Sequence, residues 1–209
     1  LIAVELQAHG RTRDRSTPES FEQDADDVAA LLKYLKIEKA NILGFSNGGT
    51  TTLQIAIRHP DIINKIVIVS ANYRRDGMMA GFFDGFKNAT LSSMPGPLQE
   101  GFLKVTPDKT RLKAMFDRDV ARMSNFKDIP DESLSAIKAP ALVMVADHDV
   151  ITPEHAIKMS RTIPGAQLAI LPGSHGSFIG EVCTVKKGSK LPEMTVAMVE
   201  EFLNGPGKK

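Results

Sequence analysis

Ser46 sits in Gly44-Phe45-Ser46-Asn47-Gly48-Gly49, where an apolar run, Ala40 to Phe45, gives way to a helix-like stretch. Further along, Ala141 to Ala146 ends in Asp147-His148-Asp149, and a run from about Gln167 to Leu171 leads into Pro172-Gly173-Ser174-His175-Gly176. A serine, a carboxylate at 147 or 149 and a histidine thus each follow a strand-like segment. Together these types suit nucleophilic chemistry at a carbonyl carbon. A serine hydroxyl is a poor nucleophile until an imidazole takes its proton, and a carboxylate holds that imidazole in one tautomer and stabilises its cation. The flanking glycines suit a tight strand-to-helix turn, because side chains at Gly44 and Gly48 are expected to collide across it. Gly49 is expected to let the following helix approach the sheet.

The elements that must position these residues alternate. Leu1 to Leu6 reads as a buried strand followed by a loop, Gln7 to Arg11. Thr17 can cap a helix that starts at Pro18 and turns Phe21, Ala25, Val28, Leu32 and Leu35 to one face. Ala40 to Phe45 is a strand, Asn47 to about Arg58 a helix stopped before Pro60, and Lys65 to Ala71 a strand. Ala141 to Ala146 and Gln167 to Leu171 add two more, with helices starting at Pro153 and Pro192. Nearly continuous apolar strands between helices describe an α/β fold whose mostly parallel sheet is flanked by helices on both faces.

Between the two halves, residues 72–135 are broken by Gly77, Gly81, Gly85, Pro95, Gly96, Pro97 and Pro107, and strand-like runs disappear. This stretch holds five of nine methionines and six of ten phenylalanines, so it is apolar but irregular. It reads as an inserted helical lid that divides the core into 1–71 and 136–209. Met78, Met79, Phe82, Phe83 and Phe86 either wall an apolar pocket with Phe45 or anchor an extra helix to the core.

Charge excludes several classes. In 209 residues, 26 basic and 25 acidic side chains leave a net charge of +1, without the footprint a nucleic-acid partner requires. Lys186, Lys187 and Lys190 read as a solvated turn, and no apolar run approaches the ~20 residues of a membrane span. Cys183 is the single cysteine, read as small and partly buried; it has no partner for an intrachain disulfide. His9 is read as ordering backbone near the site and His59 as a solvent-facing helix end. His148 and His155 flank the aspartates without a third ligand in register. No metal or cofactor is expected.

Serine, acid, histidine is also the chain order of the α/β-hydrolase superfamily, and the sequence resembles that superfamily from Leu1 to Leu203. Val4-Glu5-Leu6-Gln7-Ala8-His9-Gly10-Arg11 is similar to the strand and loop before the nucleophile, and Gly44 to Gly49 to the nucleophile elbow. Ala146-Asp147-His148-Asp149-Val150-Ile151-Thr152-Pro153 is similar to the acid turn, and Pro172 to Gly176 to the histidine loop. The resemblance implies that the acid is Asp149, four residues before the proline, with Asp147 as runner-up stabilising the turn. It implies that the Asn47 backbone N–H is one of two oxyanion donors. It also makes Leu1–Leu6 the family's fourth strand, so the fold is read as N-terminally incomplete. Roughly 60–80 further residues are expected upstream, carrying the second donor and a strand between Leu1–Leu6 and Ala40–Phe45.

The chemistry expected from this reading is hydrolysis of a small, hydrophobic carboxylic ester or related acyl substrate, through an acyl-enzyme on Ser46 with His175 as base and Asp149 as its orienting acid. Two alternatives keep the same residues. One is a cofactor-free, haloperoxidase-like perhydrolase or a C–C bond hydrolase. The other is a member that binds a small ligand without turning it over.

Overall fold

The computed structural model describes residues 1–206; the last three residues of the 136–209 segment lie outside the described residues. Four parallel strands, β1 (Ala40–Phe45), β2 (Ile63–Val69), β3 (Ala141–Ala146) and β4 (Gln167–Leu171), form one sheet in the order β1-β2-β3-β4. Their pairing aligns Phe45 with Val69, Val69 with Met144 and Met144 with Ala169, so the chain leaves β1, β2 and β3 at one edge.

β2 and β3 read as unbroken apolar runs because both of their faces are covered. Ile66, Ile68, Val143 and Val145 point into a core shared with α1 (Phe21–Tyr34), α2 (Asn47–Arg58) and α6 (Pro153–Thr162). Val67, Val69, Leu142 and Met144 point the other way, into a core shared with Phe202 of α7 (Leu191–Asn204) and with Phe178. α7 is fixed from beneath by Lys65, which is buried although charged. Its Nζ donates to the carbonyls of Phe202, Leu203 and Gly205 at 2.9, 2.9 and 2.6 Å, satisfying groups that a helix C-terminus leaves unpaired.

Three expectations are corrected. Leu1–Leu6 is not a strand: it pairs with no strand among the described residues, and Leu1, Ile2 and Val4 are exposed. Its inward groups are used locally instead, with the Thr12 hydroxyl donating to the Glu5 carbonyl at 2.6 Å and Arg11 bound to the Glu5 carboxylate. β1 pairs only with β2 among the described residues, and Leu43 stays exposed. Second, α1 starts three residues later than expected. The Thr17 carbonyl is held by Gln7 and Arg118, and Ser20 caps the helix by accepting the Gln23 N–H at 3.1 Å. Leu35 falls past the helix and is exposed. Third, Cys183 is exposed.

Residues 72–135 contain 3-10 turns at Arg75–Gly77, Phe82–Asn88 and Leu91–Ser93, then α3 (Gly96–Val105), α4 (Lys109–Ser124) and α5 (Asp131–Ser135). α4 is longer than the short pieces expected. No Gly or Pro interrupts it, and Asp108 caps it, accepting the N–H groups of Thr110 and Arg111 at 2.8 and 3.2 Å.

Candidate active site

β1 delivers Ser46 to the sheet edge and α2 begins at the next residue. Ser46 is held at φ 55° and ψ −122°, a conformation that costs a non-glycine residue on the order of 1–3 kcal/mol. Backbone bonds on both sides keep it there. Its N–H donates to the Val69 carbonyl at 2.9 Å, and its carbonyl accepts from Gly49 and Thr50 at 2.9 and 3.2 Å. The glycine requirement is one-sided, unlike the expected mutual collision. A Cβ on Gly44 would lie 2.0 Å from the Gly48 carbonyl oxygen, whereas one on Gly48 would meet open space. A Cβ on Gly49 would come within 2.5 Å of the Ala71 Cβ, which fits its expected role of letting α2 close on β2.

His175 and Asp149 converge on this serine from the ends of β4 and β3. The Ser46 Oγ is 3.0 Å from His175 Nε2, and His175 Nδ1 is 2.7 Å from Asp149 Oδ1. Asp149 is fully buried at its side chain. Burial pushes its carboxyl upward, but donors from His175, Ser70 and the Ile151 backbone outweigh that and hold it below the ordinary value. The imidazole is placed by its loop. Thr184 Oγ1 donates to the His175 carbonyl at 2.8 Å, the Phe45 ring lies 4.7 Å from the imidazole, and Gly176 at φ 73° leaves room for Phe45.

Asp147 takes the place expected of the runner-up: its Oδ1 accepts the Gly173 N–H at 2.8 Å. The backbone bonds from Asp147 N to Leu171 O and His148 N to Gly173 O complete the zip between acid turn and histidine loop. On its other side the acid turn is clasped by residues 77–79, through Met79 N to Val150 O at 2.8 Å and Thr152 N to Gly77 O at 2.9 Å. Asn47 is the first residue of α2, where a backbone N–H has no intrahelical acceptor.

The six expected pocket residues separate. Phe45 meets the imidazole. Met78 is buried in the core beside Ile151, and Met79 is exposed. Phe82, Phe83 and Phe86 pack on one another, and Phe83 stacks on Phe126 at 6.1 Å. A cavity of about 700 Å³ lies elsewhere, between the start of α1, α2 and α4; Glu19, Phe21, Gln54 and Arg122 line it and none of the three site residues does.

A second ionic assembly was not anticipated. Glu19 and Asp24, with 1% of their side chains exposed, face Arg122, whose Nη1 is 2.7 Å from Asp24 and 3.4 Å from Glu19; its Nη2 is bound to Asp119. His9 donates from Nδ1 to the Gln7 carbonyl at 2.8 Å and lies 3.3 Å from Asp119. Burial disfavours charge on His9, but Asp119 and Glu19 overcome it and raise the imidazole to about 9. Burial lifts Glu19 to about 7. His9, Glu19 and Asp119 place ligand atoms within 4.8 Å of one another, a donor set that a divalent ion accepts. Arg122 and the protonated His9 already supply that charge. His155 is likewise buried and acts within the fold, accepting the Tyr73 N–H at 3.1 Å; burial lowers it to about 4. His59 is partly exposed at the end of α2 and also bonds Asp26 of α1 at 2.7 Å, and His148 is exposed. The i,i+3 spacing of Asp119 and Arg122 was the one sequence signal of the assembly.

A serine at a strand-to-helix turn after a parallel strand, met by an aspartate and a histidine from later strand ends, is the arrangement of the α/β-hydrolase fold, and the chain has that fold. The family model of the α/β hydrolase fold matches residues 1–98. The human serine hydrolase BPHL is 30% identical over 186 residues, which cover 80% of this chain and 59% of that protein. A pimeloyl-[acyl-carrier protein] methyl ester esterase of Neisseria meningitidis is 25% identical over 97% of this chain and 82% of its own length. The crystal structure of the enol-lactonase of Burkholderia xenovorans superposes with a TM-score of 0.68 at 23% identity, covering 96% of this chain and 79% of that one. No helix among the described residues is long and apolar enough to cross a membrane.

Proposed function

We propose that this protein is a serine hydrolase that cleaves a carboxylic ester or closely related acyl substrate through an acyl-enzyme on Ser46. The observation that carries the proposal is the continuous relay, 3.0 Å from the Ser46 hydroxyl to His175 Nε2 and 2.7 Å from His175 Nδ1 to Asp149. In this reading His175 takes the hydroxyl proton as Ser46 attacks the carbonyl carbon, and Asp149 steadies the resulting imidazolium. The N–H of Asn47 donates to the oxyanion. His175 then returns the proton to the departing alkoxide, and a water deprotonated by the same nitrogen releases the acid. The names of the human and Neisseria relatives, a serine hydrolase and an esterase, agree with this class.

Residues 72–135 act as the lid in the same reading. Phe45, whose ring meets the His175 imidazole, and the exposed Met79 offer apolar surface to a hydrophobic acyl or alcohol group. Ser46→Ala is expected to lower hydrolysis of short p-nitrophenyl esters by on the order of 10⁴-fold or more. Ester hydrolysis at the wild-type rate in that variant refutes the proposal.

A further inference from the structure

We infer that Ser70 is a positioning residue for the Asp149–His175 pair, its hydroxyl holding the acid's second oxygen and thereby setting how readily the pair takes up a proton. The inference rests on the hydrolase reading above. Asp149 divides its acceptors unequally. Oδ1 receives His175 Nδ1 at 2.7 Å and the Ile151 N–H at 3.1 Å, whereas Oδ2 receives Ser70 Oγ at 2.6 Å. The side chain is fully buried, and among the described residues the Ser70 hydroxyl is the donor to that oxygen.

The backbone explains why this hydroxyl is so well placed. Ser70 follows β2 directly, is buried, and sits at φ 48°, a left-handed conformation that a non-glycine residue adopts only when its surroundings hold it. Its own N–H is tied to the Met144 carbonyl of β3 at 2.7 Å, while the preceding carbonyl, of Val69, receives the N–H of Ser46 at 2.9 Å. Two consecutive residues at the end of β2 therefore reach the nucleophile on one side and the acid on the other. Among the described residues, Ser46 and Ser70 are two of the four non-glycine residues at positive φ, the others being Ala8 and Lys36, so two of these strained positions meet at this strand edge.

His175 is the titratable group that meets Asp149 among the described residues; Ser70 and the Ile151 N–H are uncharged donors. Removing the hydroxyl leaves the carboxylate's charge less satisfied while its imidazole partner is neutral. The pair then binds a proton more readily, and the acid limb of activity moves to higher pH.

The test is steady-state hydrolysis of p-nitrophenyl acetate from pH 5 to 9 by the wild type, Ser70→Ala and Ser70→Gly, with melting temperatures for each. Glycine removes the hydroxyl while relaxing the positive φ, so one of the two variants stays folded if the backbone strain matters. Expected in the folded variants are a fall in kcat of about tenfold with KM nearly unchanged, an upward move of the acid limb of kcat/KM, and a changed downfield proton resonance of His175 Nδ1–H. Wild-type kcat and acid limb in either folded variant overturn the inference, as does a loss of activity that merely tracks the folded fraction with the acid limb unmoved. An inactive Ser46→Ala beside wild-type Ser70 variants sinks this inference alone; an active Ser46→Ala sinks the hydrolase reading and this inference with it.

Discussion

The two buried ionic assemblies of this protein are built on opposite terms. At the strand ends, one carboxylate, Asp149, meets one imidazole and every oxygen has a donor. Between the Ala8 loop, α1 and α4, three carboxylates crowd around Arg122 and His9, and both oxygens of Glu19, Asp24 Oδ1 and Arg122 Nε lack hydrogen-bond partners. A satisfied buried carboxylate keeps its charge, as Asp149 does; an unsatisfied one surrenders it, as Glu19 does at about 7. The first arrangement suits proton transfer at fixed geometry. The second ties an irregular loop to a helix, with the Arg122 guanidinium also resting 4.7 Å from the Phe21 ring.

The sharpest way to break this comparison is to disable each assembly and read both activity and stability. Asp149→Asn keeps the shape but offers His175 the wrong hydrogen-bonding partner. Ester hydrolysis is expected to drop by on the order of 10⁴-fold, with a urea midpoint close to the wild type's. Arg122→Ala is expected to do the reverse: it strands Asp24 and Glu19 without their cation and costs about 3–5 kcal/mol of stability in urea unfolding, while turnover per folded molecule is kept. An Arg122 variant as stable as the wild type contradicts the structural reading of that cluster.

A smaller effect concerns pH. Glu19 carries a raised value, about 7 against an ordinary 4.5, so the folded protein keeps a proton that the unfolded chain releases, and stability falls as pH rises through that window. His9, raised from 6.5 to about 9, adds stability that is fully present below 6.5 and is lost as pH climbs towards 9. His155, lowered to about 4, works the other way below 6.5, so the melting temperature is expected to decline from about pH 6.5 to 9, with Glu19→Gln flattening the lower part of that decline. An unchanged slope below pH 7 in this variant assigns the pH dependence to other groups.

The difference between the assemblies also marks what the sequence made legible. Ser46, Asp149 and His175 each stand in a short motif whose neighbours serve one local turn, so their convergence followed once the strands between them were recognised. Ala40–Phe45, Ala141–Ala146 and Gln167–Leu171 fell where their apolar runs placed them. Leu1–Leu6 carries a similar run and yet forms no strand, because a strand exists through the ladder on its edge and that run finds none. Ser70 was illegible for a related reason: its hydroxyl matters through a contact 79 positions away, and a lone serine after an apolar run announces nothing. Arg122 and Asp24 meet across 98 positions and sit on helices whose spacing suggested only a polar face.

The central claim is that the Ser46 hydroxyl is activated for attack, and labelling tests it most directly. Treating the purified protein with a fluorophosphonate and mapping the adduct by peptide mass spectrometry is expected to place one label on the peptide containing Ser46, with ester hydrolysis lost in proportion. A label on any other residue, or none on a protein that still hydrolyses esters, contradicts the account.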